Sequence, residues 1–310
     1  MKILFATSSR SPRFESQDPA ELPAKLEPCR NKIVVKHRLN STCSNDMKLP
    51  RIKNHDCTVL VCSCDKYNDV EKPFIALWRK FWPDCPFETV LLSETIATDG
   101  FDRDILTGRG KTWCEMLAEA LEKIASPYVL MLMNDYFLSE PVDTARFLLR
   151  LNEARQYDSA SLRLNPHPPG ERIVDGSDLL EMPKNTAYCI TCQTSIWNRE
   201  FLLGLARRNK SAWEFERYGS FMVGDEPRPL LVTQTKEFPF VDAVHKGYWE
   251  KFGLDVCRVN GIEIDNVTRT LPPFKVRIIE AVKGLIFRII PTTLLVRFQN
   301  RFGLGAKETK

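Results

Sequence analysis

A chain of 310 residues with 43% hydrophobic side chains is long enough to bury a large core. Its net charge of +4 hides a division: residues 1–54 carry 11 Lys/Arg against 5 Asp/Glu, residues 55–273 carry 25 against 33, and residues 274–310 carry 8 against 2. The acidic body argues against a nucleic-acid-binding core, which needs a basic face, while basic ends suit an anionic membrane surface.

From the N-terminus, Met1-Lys2-Ile3-Leu4-Phe5-Ala6 is too short an apolar stretch for a secretory signal. Residues 7–54 are rich in Ser, Pro, Lys, Arg and Asn with no apolar period, so the segment 1–54 reads as mostly disordered. Cys57–Cys64 is the first strand-like run, ending in Asp65-Lys66-Tyr67. Phe74, Ile75, Leu77, Trp78 and Phe81 give one broad helical face, stopped by Pro83, and Phe87–Ser93 reads as a second strand. Strand, helix, strand is a βαβ unit with parallel strands. After a polar loop around Asp99–Arg109, Thr112 can cap a helix whose core face is Met116, Leu117, Ala120, Leu121 and Ile124.

The unbroken apolar run Tyr128–Met133 stops on Asn134-Asp135 and reads as a strand buried on both faces. Pro141 and Asp143 open a helix through Phe147, Leu148 and Leu151, and Ser159–Leu164 looks like a strand. Pro166, Pro168, Pro169 and Gly170 mark a loop. Tyr188–Thr194 reads as a further strand, Trp197–Ala206 as a helix, and Trp213–Arg217 as a short helix. The alternation predicts one α/β domain over 55–255. In the extension 256–310, Ile278, Ile279, Val282, Leu285, Ile286 and Ile289 fall on one helical stripe beside Arg277, Lys283 and Arg288, before Pro291. No window there offers the roughly 20 uncharged apolar residues of a spanning helix. The stripe fits a basic amphipathic helix lying in a membrane interface, or a helix packed on the body or a partner.

The ten cysteines fall largely inside apolar segments, so free buried thiols in a reducing cytoplasm are expected. Cys189-x-x-Cys192 has no second pair or neighbouring histidine to complete a zinc site.

Chemistry gathers in a few places. Asp135, at the carboxyl end of a buried strand, stands where open α/β sheets bind ligands, and one carboxylate suffices for a divalent cation that bridges phosphates; it can equally cap the next turn. Asn134 offers at most an amide oxygen. In Ser63-Cys64-Asp65-Lys66-Tyr67 the carboxylate can accept from a base or ribose and Tyr67 can stack; no Gly-rich fingerprint follows that strand, which speaks against a dinucleotide fold or a P-loop. Gln193 can bond sugar hydroxyls, and Trp197 reads as core. Trp213 with Glu214 and Glu216 suits a sugar site, one carboxylate taking a hydroxyl proton; Ser211 with Glu214 also forms a capping box. His245 can ligate a metal or contact a diphosphate, and Lys246 is a comparable phosphate candidate.

As a set, these residues resemble a glycosyltransferase of the GT-A type from bacterial surface-polysaccharide biosynthesis. The resemblance runs over 57–250 through Ser63–Tyr67, Trp82-Pro83-Asp84-Cys85-Pro86, Thr112-Trp113-Cys114, Asn134-Asp135-Tyr136-Phe137, Gln193–Trp197 and Trp213–Glu216. It implies a GT-A-like, Rossmann-type mixed sheet flanked by helices and a nucleotide-sugar donor, such as a UDP-sugar, bound by Ser63, Asp65, Lys66, Tyr67, Trp113, Asn134 and Asp135. It also implies a divalent metal (Mn or Mg) at Asp135; His245 is a second metal candidate from its residue type alone. Gln193 and Trp213 would meet a glycan or glycolipid acceptor at the cytoplasmic membrane face, with Glu216 or Glu214 as the base of an inverting transfer. The usual metal motif is Asp-x-Asp or Asp-Asp, and Asn134 departs from it. Two rivals stand beside this reading: a sugar nucleotidyltransferase, and a non-catalytic membrane-associated sugar-nucleotide-binding or scaffold protein.

Overall fold

A computed structural model describes residues 54–264 and 269–273. The expected disordered segment 1–54 and the amphipathic stripe at 278–289 lie outside the described residues, Asn54 excepted. The order of elements is β1 (Asn54–Cys62), α1 (Asn68–Phe81), β2 (Phe87–Ser93), β3 (Arg103–Leu106), α2 (Trp113–Glu122), β4 (Tyr128–Met133), β5 (Tyr136–Leu138), α3 (Thr144–Gln156), β6 (Ser161–Arg163), β7 (Arg172–Ile173), β8 (Leu180–Glu181), β9 (Ser195–Asn198), α4 (Arg199–Ala206), α5 (Ala212–Arg217), β10 (Leu230–Val232), β11 (Phe240–Asp242), β12 (Val244–His245), β13 (Tyr248–Trp249) and α6 (Lys251–Val259).

Nine strands form one mixed sheet in the order β3-β2-β1-β4-β9-β6-β10-β8-β7. β1 runs parallel to both β2 and β4, so the βαβ unit is as the sequence predicts. β9 is antiparallel to β4 and to β6. Side chains alternate across the sheet and divide the core in two. Val59 and Val61 of β1, with Leu130 and Leu132 of β4, pack beneath α1 and α3 against Phe74, Trp78, Phe147 and Leu151. Leu60 and Cys62, with Val129 and Met131, face Leu117, Leu121, Leu202 and Phe215 of α2, α4 and α5. That two-sided burial is why β1 and β4 read as continuous apolar runs.

Two expectations fail. Tyr188–Thr194 is not a strand, and the strand is Ser195–Asn198. Gln193 therefore precedes a strand rather than ending one, and Trp197 lies within β9, buried in the core, rather than opening a helix. The segment 188–194 satisfies its main chain through side chains instead of a ladder: Arg163 donates to the carbonyls of Tyr188 and Cys189, and Ser220 Oγ accepts from Ile190 N. The polar loop around 99–109 contains edge strand β3, in which Ile105 alone is buried. Short strands β7, β8 and β10 to β13 also escape the sequence pattern.

α6 crosses position 255 and buries Cys257 and Gly253. A Cβ on Gly253 would lie 2.5 Å from Ala243 Cα, so this approach requires glycine. All described residues belong to one compact unit.

Candidate functional site

The carboxyl ends of β1, β2, β4 and β6 face one edge of the sheet, because these strands run parallel or are related through antiparallel β9. At this edge β4 gives way to Asn134-Asp135, which are 3% and 4% exposed. Asn134 N donates to Cys62 O at 3.1 Å, continuing the ladder to β1. Its Nδ2 donates to Ser63 Oγ at 2.8 Å and to Tyr67 O at 3.1 Å. Asp135 O accepts from Ala243 N at 2.8 Å, which fastens the site to the β12–β13 hairpin. In that hairpin Lys246 and Gly247, at φ 52° and 82°, make the two-residue turn that carries buried His245.

Arg269, which no sequence pattern singles out, locks the hairpin to the end of β1. It donates to Gly247 O at 3.0 Å, pairs with Asp69 at 2.9 Å and lies 4.4 Å from the centre of the Tyr67 ring. Tyr67 is thus stacked against a cation within the protein. Lys66 is exposed and offers its carbonyl to Arg269.

Asp65 is a strut more than a free acceptor. Its carboxylate accepts from Thr95 Oγ1 at 2.6 Å, Thr95 N at 2.8 Å, Ile96 N at 3.1 Å and Arg109 at 3.4 Å. These bonds, Thr95 first, hold its pKa below the ordinary aspartate value. Glu94, at the end of β2, accepts from Asp65 N at 3.0 Å, and its carbonyl takes Gly108 N at 2.8 Å. The glycines of Thr107-Gly108-Arg109-Gly110-Lys111-Thr112, at φ 80° and 86°, thereby bring a basic loop beside the end of β1. Thr112 caps α2 in a capping box with Glu115, and Trp113 packs edge-on against Phe215 at 5.6 Å.

α5 carries Trp213, Glu214 and Glu216. Glu216 accepts from Cys192 N at 2.8 Å, and Cys192 O accepts from Tyr136 Oη at 3.4 Å. One residue, Cys192, thus joins Glu216 to the neighbour of Asp135. Glu214 takes the capping role: its N donates to Ser211 Oγ at 3.1 Å and its carboxylate accepts from Lys210 N at 2.9 Å. Trp213 is half-buried, with Arg217 4.9 Å from its ring and Tyr218 edge-on at 5.9 Å. Tyr218, Phe221 and Met222 beside it are exposed by 46%, 49% and 40%, an aromatic surface next to Glu216.

Arg163 ends β6. It is buried, donates to the carbonyls of His167, Pro168, Tyr188 and Cys189, and is pulled down to about 10 by burial, which nearby Cys189 and Glu216 oppose. Arg163 pairs with Ser195 across the sheet, and continuing that register sets Asn165 opposite Gln193. The side-chain oxygens Asn165 Oδ1 and Gln193 Oε1 are buried with no hydrogen-bond partner among the described residues. Buried acceptors without a donor suit the hydroxyls of a ligand.

Among the described residues no three His, Cys, Asp or Glu gather into a metal cage. A divalent cation that bridges phosphates needs only one or two protein carboxylates, and Asp135 is the carboxylate that closely follows β4. Burial pushes the Cys62 and Cys114 thiols up to about 12, away from the thiolate form. Among the described residues no helix is long and apolar enough to cross a membrane.

No protein-family model and no curated protein matches the chain. Among solved structures it is similar to a cytidylyltransferase from Leptospira borgpetersenii (9% identity, TM-score 0.39, 67% of this chain and 96% of that one). It is also similar to S. aureus TarS (13%, 0.39, 66% and 38%) and to the bifunctional IspDF from Campylobacter jejuni (15%, 0.32, 55% and 47%). The chain thus spans nearly all of the first and less than half of the other two. All lie below a TM-score of 0.5.

Proposed function

We propose that the protein is a GT-A-type glycosyltransferase that moves a sugar from a nucleoside diphosphate sugar, a UDP-sugar in the first instance, to an acceptor hydroxyl. The observation that carries this reading is the joint at Cys192, which links Glu216 to Tyr136, the residue after Asp135. Asp135 lies at the donor diphosphate, where a divalent metal, when bound, offsets the charge that builds on the leaving group. Glu216 takes the proton of the acceptor hydroxyl as its oxygen forms a bond to the anomeric carbon. The bond from that carbon to the diphosphate oxygen breaks, and the nucleoside diphosphate leaves with the electron pair. Attack from the face opposite the leaving group inverts the centre. Gln193 and Asn165 receive acceptor hydroxyls, and Trp213 with Tyr218 offers flat surfaces to sugar rings.

A second reading, nucleotidyl transfer, is favoured by one observation: the glycine-rich basic loop 107–112 hangs beside the end of β1, with Arg109 against Asp65. The products separate the two. Glycosyl transfer releases a nucleoside diphosphate from a nucleotide-sugar, whereas nucleotidyl transfer releases pyrophosphate from a nucleoside triphosphate and a sugar phosphate. Phosphorus NMR is expected to show nucleoside diphosphate in the nucleotide-sugar mixture and no reaction in the triphosphate mixture; pyrophosphate formation in the latter would overturn the glycosyltransferase assignment.

A further inference from the structure

We infer that Glu71 is a positioning residue of the donor site, and that it sets a one-way hydrogen-bond chain that requires an amide donor, not a carboxylate, at position 134. The part of this inference that concerns donor binding rests on the function proposed above; the chain itself does not.

The direction of each bond follows from the groups involved. Tyr67 O is a main-chain carbonyl and only accepts, so the atom 3.1 Å from it must be the amide nitrogen of Asn134. The same Nδ2 stands 2.8 Å from Ser63 Oγ, which therefore accepts. The Ser63 proton then points to the nearer of its two acceptors, Glu71 Oε1 at 2.5 Å rather than Cys64 O at 3.4 Å. Glu71 is fully buried near the start of α1. Its second oxygen accepts from Asn68 Nδ2 at 3.0 Å and from Thr98 Oγ1. The carboxylate meets donors only. It ties β4 through Ser63 to the end of β1, and through Thr98 to the loop after β2. These are the strand ends that frame Asp135.

The chain gives Asn134 a reason to depart from the Asp-Asp pattern. An aspartate at this position would turn an oxygen toward the Tyr67 carbonyl. It would also compete with Glu71 for the single Ser63 proton, leaving buried acceptors unbonded. Restoring the acidic pattern is therefore expected to weaken the site, although a second carboxylate beside Asp135 would by charge alone attract a cation.

The test is a double-mutant cycle of Asn134→Asp and Glu71→Gln on the full chain, read by melting temperature and by affinity for UDP with manganese. Asn134→Asp alone is expected to melt lower and to bind UDP about ten-fold more weakly, the scale of an unsatisfied buried group. In the double variant the chain can reverse: the amide introduced by Glu71→Gln donates to Ser63 Oγ, and Ser63 donates to the carboxylate introduced by Asn134→Asp. The double variant is expected to recover part of both losses relative to Asn134→Asp. Wild-type melting and affinity in Asn134→Asp, or a double variant no better than the sum of its singles, would overturn the inference. If wild type binds no UDP, the donor reading fails, and the melting cycle still decides the chain.

Discussion

Glu216 and Glu214, two residues apart, carry the same functional group and end in different roles. Ser211 and Lys210 take Glu214 into the cap of α5, while Glu216 reaches back to Cys192 N. A Glu216→Gln variant keeps an acceptor for Cys192 but loses the base. It is expected to bind nucleotide as wild type does and to lose about 10²- to 10⁴-fold in turnover; turnover and nucleotide affinity measured side by side check this, and unchanged turnover would remove Glu216 from the reaction. Sequence spacing alone shows the capping pattern of Glu214, and only the fold shows Glu216 bonded to Cys192 N. Asp65 goes the other way. Its place after β1 suggests a nucleoside contact, but Thr95, Ile96 and Arg109 come from distant parts of the chain and occupy its oxygens. Partners so far away in sequence leave no local pattern to read.

At the scale of elements, β1, α1, β2, α2 and β4 are legible because two-sided burial and helical periodicity leave strong patterns. Tyr188–Thr194 misleads because it is buried and apolar, as a strand is, yet its main chain bonds to Arg163, Ser220 and Glu216 rather than to a neighbouring strand. The far half of the sheet depends on an ionic cluster that no spacing announces. Arg150 of α3, 1% exposed, pairs with Glu237 at 2.6 Å and with Asp178, in the turn between β7 and β8, at 2.6 Å. Glu237→Ala would strand that guanidinium partly unpaired and is expected to cost about 3 kcal/mol, seen in denaturant unfolding. Arg150, its first bonded partner, holds Asp178 well below the ordinary carboxylate range, and Glu237 is also lowered, by Arg150 and Arg146 against the effect of burial. Groups lowered in the folded state add stability above their unfolded pKa of roughly 4, and that stability is lost as pH falls through the folded values. Melting temperature is therefore expected to fall from about pH 6 to about pH 3, and to fall less in Glu237→Ala; an equal fall in both would show that Glu237 contributes nothing to it.

Across the whole molecule, the described residues form a mixed sheet with helices on both faces, and one sheet edge gathers Asp135, Glu216, Asn165, Gln193 and the basic loop 107–112. Arg269 closes this edge from a point 200 residues away from Asp69 in sequence. Its role, like those of Arg163 and Glu71, depends on which distant segments the fold brings together. The central claim is that Asp135 marks a nucleotide-sugar donor site. Its most direct test is the thermal stabilisation of wild type and Asp135→Ala by a panel of nucleoside diphosphates, with and without manganese or magnesium. At about 100 times the dissociation constant, wild type should gain about 2.7 kcal/mol with one nucleotide, UDP first, and Asp135→Ala should gain little. No stabilisation by any nucleotide, or equal stabilisation of the two proteins, would contradict the donor site.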